Sequence, residues 1–249
     1  NGAVTGRMTH HSPNMAQVPS VSAEYGKECR SLWTVDTGNK LVGIDASGLE
    51  LRMLAHYMQD DGYTNEILSG DIHTANMKAA GLTDRNQAKT FIYAFLYGAG
   101  AAKIGEIVGG GYKEGDKLIN SFLRNTPALD KLRKKVARHA AYGTLPALDG
   151  RRLRVRSEHA ALNTLLQGAG AIVMKQALII LYKNLTMYEI PHKLVANVHD
   201  EFQIETSEPF AHIVGKGAVR AIQQAGEHFN LRCPLDGEYN IGNNWAETH

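Results

Sequence analysis

Cysteine is almost missing from this 249-residue sequence: Cys29 and Cys233 stand far apart, without the spacing of a zinc site or a disulfide framework. A reducing compartment fits. An excess of one charge is missing too, because 27 Lys and Arg face 25 Asp and Glu, and a net charge of +2 does not advertise a nucleic-acid partner. There is also no long hydrophobic run. The most apolar stretch, residues 171–181, is interrupted by Lys175 and Gln176 and is too short to cross a bilayer, so no membrane segment is expected. A charged-then-apolar leader is lacking, and the chain opens on Asn1 rather than Met, which reads as part of a longer polypeptide or a processed product. What is present is an ordinary globular mixture, 43% hydrophobic and 21% charged, which excludes collagen-like and disordered chains. The length allows one large domain or two modest ones.

Residues 1–35 are rich in Gly, Ser, Thr, Pro and His and read as looped or extended chain. Lys40 to Ile44 is apolar and β-branched, ends at Asp45, and passes through Gly48 into Leu49, Leu51, Leu54 and Ala55 at helical spacing, which predicts strand, turn and helix. From Tyr57 to about Ala141 the pattern is helical, with breaks at Gly81, Gly98 to Gly100, Gly109 to Gly111 and Pro127. Arg151 to Arg156 suggests a basic strand or extended arm, and Ala160 to Leu185 one long helix. Leu194 to Glu205 predicts a β-hairpin with His199 and Asp200 at its tip, able to share a sheet with the strand at Ile44. The expectation is a sheet-bearing domain split by a helical insertion.

Asp45 at a strand end and Asp200 at a hairpin tip are hard oxygen ligands that, brought together, suit two Mg²⁺ ions and phosphoryl transfer. For a lone Asp the competing reading is a turn cap. Arg85, Lys89 and Tyr93 follow steps of four, which drift only about 40° each around a helix, so two cations and an aromatic share one stripe. Such a stripe can grip a triphosphate, with Arg85 as a fork and Lys89 as a point charge, although a solvated basic face looks the same. His73 is a further phosphate donor, and Tyr97 and Gly98 follow the stripe. Arg7, Asn163 and Gln167 suit base-edge reading, and the last two lie one helical turn apart. In the minor groove, acceptors recur at the same places for every Watson–Crick pair, so donors there test pairing without testing sequence. Ordinary surface amides are the alternative. The basic arm adds phosphate-binding charge.

The order of three motifs carries a resemblance. Asp45-Ala-Ser-Gly-Leu-Glu-Leu-Arg52, Arg85-x₃-Lys89-x₃-Tyr93-x₃-Tyr97-Gly98 and Val198-His199-Asp200-Glu201 are similar to motifs A, B and C of family A DNA polymerases. Thr5-Gly6-Arg7, Gln17-x-Pro19, Gly70-Asp71-Ile72-His73-Thr74, the run from Ala160 to Gln167 and the ending Asn244-Trp245-Ala246 to His249 resemble the replicative members from short-tailed bacteriophages. The resemblance covers essentially the whole chain. It implies an α+β fold: a palm with an antiparallel sheet over residues 1–57 and 161–249, interrupted by helical fingers over 58–160.

The resemblance also implies roles. Asp45, Asp200 and the carbonyl of Ala46 would hold two Mg²⁺ ions. His73, Arg85 and Lys89 would bind the dNTP triphosphate, Tyr93 would pack on its sugar, and Glu50, pairing with the Tyr93 hydroxyl, would close the ribose 2′ position. Lys89 would give a proton to pyrophosphate. Primer-template DNA would meet Arg7, Gln17, Tyr97, Asn163, Gln167, His199, Arg151 and Arg154. Thumb and 3′-to-5′ exonuclease sequences are absent from this stretch, which predicts a partner chain supplying them and no thioredoxin docking site here. The expected setting is the cytoplasm of an infected bacterium. Three other readings compete: a nucleic-acid-binding module without catalysis, a single-subunit RNA polymerase, which Glu50 argues against, and a two-metal nuclease, which has no need of the Arg85, Lys89, Tyr93 stripe.

Overall fold

The structure, a computed structural model, describes residues 2–249. In chain order its elements are α1 (Gly26–Ser31), β1 (Asn39–Ala46), α2 (Leu49–Met58), α3 (Asp61–Leu68), α4 (Ile72–Ala80), α5 (Arg85–Leu96), α6 (Ala101–Ile107), α7 (Tyr112–Asn125), α8 (Pro127–Ala140), β2 (Thr144–Pro146), β3 (Arg152–Arg154), α9 (Ala161–Met187), β4 (Lys193–Val198), β5 (Glu201–Ser207), α10 (Ala211–His228) and β6 (Gly237–Gly242). The chain divides into two compact units, one of residues up to Leu49 with Gly170–His249, the other Glu50–Ala169.

The first unit is built on a four-stranded antiparallel sheet in the order β4-β5-β1-β6. Period-two alternation gives the central strands two different faces. Val42 and Ile44 of β1 stand opposite Ile204 and Phe202 of β5, and all four are buried in an apolar layer. Helix α10 contacts β1, β5 and β6 and brings in Val214, Ala218, Ala221, Ile222 and Ala225, none of them exposed. Gly215 lets Tyr239 of β6 lie against that helix, since any Cβ there would collide with the ring. The other face carries Gly43, Gln203 and Glu205, with polar partners considered below.

The second unit is helical and its ends are set by local chemistry. Asp60, Asp71 and Asp84 cap α3, α4 and α5 by accepting backbone N–H groups of the first turn. Gly81 ends α4 in the left-handed region at φ +73°, and Pro127 opens α8 where no N–H partner is needed. Phe91 and Phe95 of α5 meet Phe122 of α7 edge-on, with ring centroids 5.1 and 5.6 Å apart. The expected breaks at Gly81, Gly98 to Gly100, Gly109 to Gly111 and Pro127 fall between these helices, with further ones at Gln59 and Asp60 and at Ser69 and Gly70. Arg152 to Arg154 pairs with Thr144 to Pro146 as a small hairpin, Leu153 inward and both arginines outward.

Three features differ from expectation. A short helix, α1, lies in the stretch read as loop, and α10 and β6 follow the hairpin where the sequence pattern assigned nothing. The long helix lies where expected, at Ala161–Met187, but is more apolar than the 171–181 stretch alone suggests. Glu158–Met187 has an 18-residue window of mean hydropathy 1.5, so among the described residues one helix is long and apolar enough to cross a membrane by length and composition. Its window is 67% buried inside the protein, with Ala169, Val173 and Ala177 fully covered, which is the character of a core helix.

Candidate active site

In the first unit, strand register places two carboxylates. Asp45, next to last in β1, is paired with Glu201, the first residue of β5, and Asp200 fills the turn just before it. The backbone N–H of Ala46 donates to the Asp200 carbonyl at 3.1 Å, fastening the strand end to the hairpin tip. His199, exposed, takes φ +59° at that tip, a left-handed conformation suited to a tight turn. Asp45 keeps a solvent-exposed face, yet the protein crowded around its carboxylate and then the charges of Asp200 and Glu201 push its pKa up to about 7, with His249 and the Ala46 N–H opposing. Carboxylates that resist ionising side by side gain from a cation between them.

Beneath Asp45 the same sheet face holds a polar cluster. Glu201 is 5% exposed, and its Oε1 accepts from Gln203 Nε2 and from Trp245 Nε1, each at 2.6 Å. His249 Nδ1 lies 3.2 Å from the other oxygen. Burial opposes ionisation, but these donors hold the Glu201 carboxyl below its ordinary value. Thr248 donates to Gln203 Oε1 at 2.9 Å, and Arg30 stacks its guanidinium 4.4 Å above the Trp245 ring. Sequence reading gave Gln203 and Arg30 no role and met Trp245 only as motif text, because Trp245 lies 44 positions from Glu201.

Arg7 and Gln17 also belong to this unit. Arg7 is half-buried, and its loop is tied down by Lys175, whose Nζ donates to the Gly6 carbonyl at 2.6 Å. Gln17 is exposed and ends a short 3₁₀ turn.

In the second unit α5 carries the cationic stripe. Arg85 and Lys89 are exposed and Tyr93 is half-buried. The Tyr93 ring lies 6.3 Å from His73 and 6.3 Å from Tyr97. Asp71, which sequence reading treated only as motif text, turns out central: it caps α4, accepts from Thr74, and takes a two-pronged contact from Arg85 at 2.7 and 3.0 Å. Those donors, Arg85 first, hold its carboxyl well below the usual range. His73 is shifted down by burial and by the charges of Arg85 and Lys89, and its Nδ1 is a buried atom without a hydrogen-bond partner. The Tyr97 hydroxyl donates to Glu50 Oε1 at 3.4 Å, so Glu50 has a tyrosine partner one turn beyond the expected Tyr93.

Asn163 and Gln167 are half-exposed among buried Leu162, Thr164, Leu165 and Leu166 on α9, a polar pair on one side of a covered helix. Arg151 is exposed and pairs with Asp149 through Nε at 2.7 Å, and Arg154 is exposed on β3.

A family model described as DNA polymerase family A matches residues 1–247. The chain belongs to DNA polymerase family A. Over 282 aligned positions it is 45% identical to the DNA-directed DNA polymerases of Enterobacteria phage T3 and Escherichia phage T7, covering all of this chain and 40% of each relative. The family fold is equally plain: the POL domain of Pol1 from M. smegmatis, solved as a complex with DNA primer-template and dNTP, matches with a TM-score of 0.89 at 23% identity, covering 99% of this chain and 47% of that one. The chain thus spans about two fifths of the length of its phage relatives.

Proposed function

We propose that this chain is the palm and fingers core of a template-directed DNA polymerase, palm over residues 1–57 and 161–249 and fingers over 58–160, adding deoxynucleotides to a primer 3′-hydroxyl. The observation that carries this reading is the pairing of Asp45 with the hairpin tip bearing Asp200, at the end of the four-stranded sheet. The donor set fits Mg²⁺: two carboxylates and the Ala46 carbonyl are hard oxygens, and among the described residues no three His, Cys, Asp or Glu side chains converge on one point. Mg²⁺ is typically held by one or two carboxylates together with substrate phosphates. When bound, two such ions supply charge stabilisation for the attacking and leaving oxygens.

The chain's own groups do the rest. Lys89, with Arg85 and His73, binds the triphosphate of the incoming dNTP, and the unpartnered His73 Nδ1 is an atom such a ligand satisfies. Arg85 must exchange Asp71 for phosphate, and an exposed ion pair is cheap to exchange. Tyr93 packs on the sugar, and Glu50 excludes a 2′-hydroxyl. Lys89 donates a proton to the departing pyrophosphate. Arg7 and Gln167 read the primer-terminal pair; Asn163, Gln17, Tyr97, His199 and Arg154 contact the strands. The test is single-nucleotide addition to a primer-template at enzyme excess, in Mg²⁺, with and without ribonucleotide competitors. Incorporation of deoxynucleotides that is lost in Asp200→Asn supports the proposal. DNA binding without incorporation, or preferred use of ribonucleotides, overturns it.

A further inference from the structure

On the sheet face that carries Asp45, its direct cross-strand neighbour is a third carboxylate, Glu201. Residues directly opposite on antiparallel strands project to the same side with their Cβ atoms about 5 Å apart. A glutamate is therefore within a side-chain length of the carboxylate pair, and yet it does not converge with Asp45 and Asp200. The reason is visible in its partners. Trp245 and Gln203 each donate to Oε1 at 2.6 Å, and His249 closes on Oε2 at 3.2 Å.

These partners are themselves fixed. Gln203 cannot turn away, because its Oε1 accepts from Thr248. Gly43, the cross-strand neighbour of Gln203, leaves the room for this, since any Cβ there would collide with the Thr248 carbonyl and the Gln203 amide. Trp245 is 2% exposed, lies in a 3₁₀ turn (Trp245–Glu247) that contacts α1, and sits under the buried Arg30 guanidinium, whose Nε is tied to the Pro19 carbonyl at 2.8 Å.

We infer that Trp245 and Gln203 act as a clamp that withdraws Glu201 from the metal site, so that Asp45 and Asp200 remain its only carboxylate ligands. Trp245, Gln203 and Thr248 are positioning residues, not catalytic ones. Ligand charge count tunes divalent-cation affinity, and a third carboxylate favours tight, substrate-independent binding over the loose Mg²⁺ binding that substrate phosphates complete. The clamp keeps the site dependent on nucleotide. The inference rests on the two-carboxylate reading given above.

The test is Mn²⁺ titration of the nucleotide-free protein, followed by the electron paramagnetic resonance of free Mn²⁺. Trp245→Phe keeps the ring and removes the N–H; Gln203→Met removes the second donor independently, and near-UV circular dichroism checks that each variant is folded. Release of Glu201 in either variant should tighten Mn²⁺ binding about tenfold, and adding Glu201→Gln should return the affinity to that of the parent. Unchanged or weakened Mn²⁺ binding in the folded variants, or tightening that survives Glu201→Gln, overturns the clamp. A parent protein whose Mn²⁺ binding is indifferent to Asp45→Asn and Asp200→Asn overturns the two-carboxylate reading itself, and the clamp with it.

Discussion

Asp45 and Asp200 are placed by backbone pairing between antiparallel strands, whereas Arg85 is placed by a single exposed side-chain pair with Asp71. The sheet half is fixed by its register, which runs unbroken from Asn39 opposite Ser207 to Asp45 opposite Glu201, and any slip would turn the apolar face of β1 outward. The helical half's key cation has a partner that a phosphate can replace, and its histidine carries an unsatisfied nitrogen. Each half is thus held in its own way, the carboxylates by backbone pairing and the cation by an exchangeable side chain.

The comparison can be broken at graded points. Asp45→Asn or Asp200→Asn should cost the most, about 10³-fold or more in single-turnover incorporation, since several kcal/mol of charge stabilisation are removed; a loss below tenfold would mean that the sheet half does not carry the chemistry. Lys89→Ala should slow the same step by about 10²-fold, the ordinary scale of general acid catalysis, and an unchanged rate would dispose of the proton-donor role.

Asp71→Asn sharpens the contrast through pH. The folded carboxyl lies below its ordinary 3.8, so its contribution to stability is present above that value and is lost as the pH falls through the folded pKa. The stability gap between parent and variant, read from urea unfolding, should therefore narrow as the pH drops below 4, and a gap independent of pH would contradict a role for the Asp71 charge. Freed of Asp71, Arg85 should also bind dNTP more tightly by a few-fold. The smallest effect is Tyr93→Phe, which should leave deoxynucleotide addition near the parent rate while making the protein discriminate against dideoxynucleotides; equal acceptance by both forms would contradict the placement of the Tyr93 hydroxyl.

What could be read from the sequence was whatever is punctuated locally. Gly81, Gly109 to Gly111 and Pro127 mark helix ends, and the alternation around His199 and Asp200 marks the hairpin. α10 escaped because Gly215, Gly217 and Gly226 interrupt an otherwise periodic set of small apolar residues, and the first of these is required by the Tyr239 ring. β6 escaped because only Tyr239 and Ile241 among residues Gly237 to Gly242 are large and apolar, too short an alternation to stand out, as an outer strand allows. For the site, the motif residues were legible while their partners were not. Asp71 and Arg85 are 14 positions apart, Glu201 and Trp245 44, and only folding brings either pair together.

The central claim is that Asp45 and Asp200 form one site. The most direct measurement is a double-mutant cycle on single-turnover incorporation with Asp45→Asn, Asp200→Asn and the two combined. Residues that act as a unit are grossly non-additive, so the account predicts that the combined variant is no slower than the worse single one. Losses that multiply would show two independent contributions and contradict it.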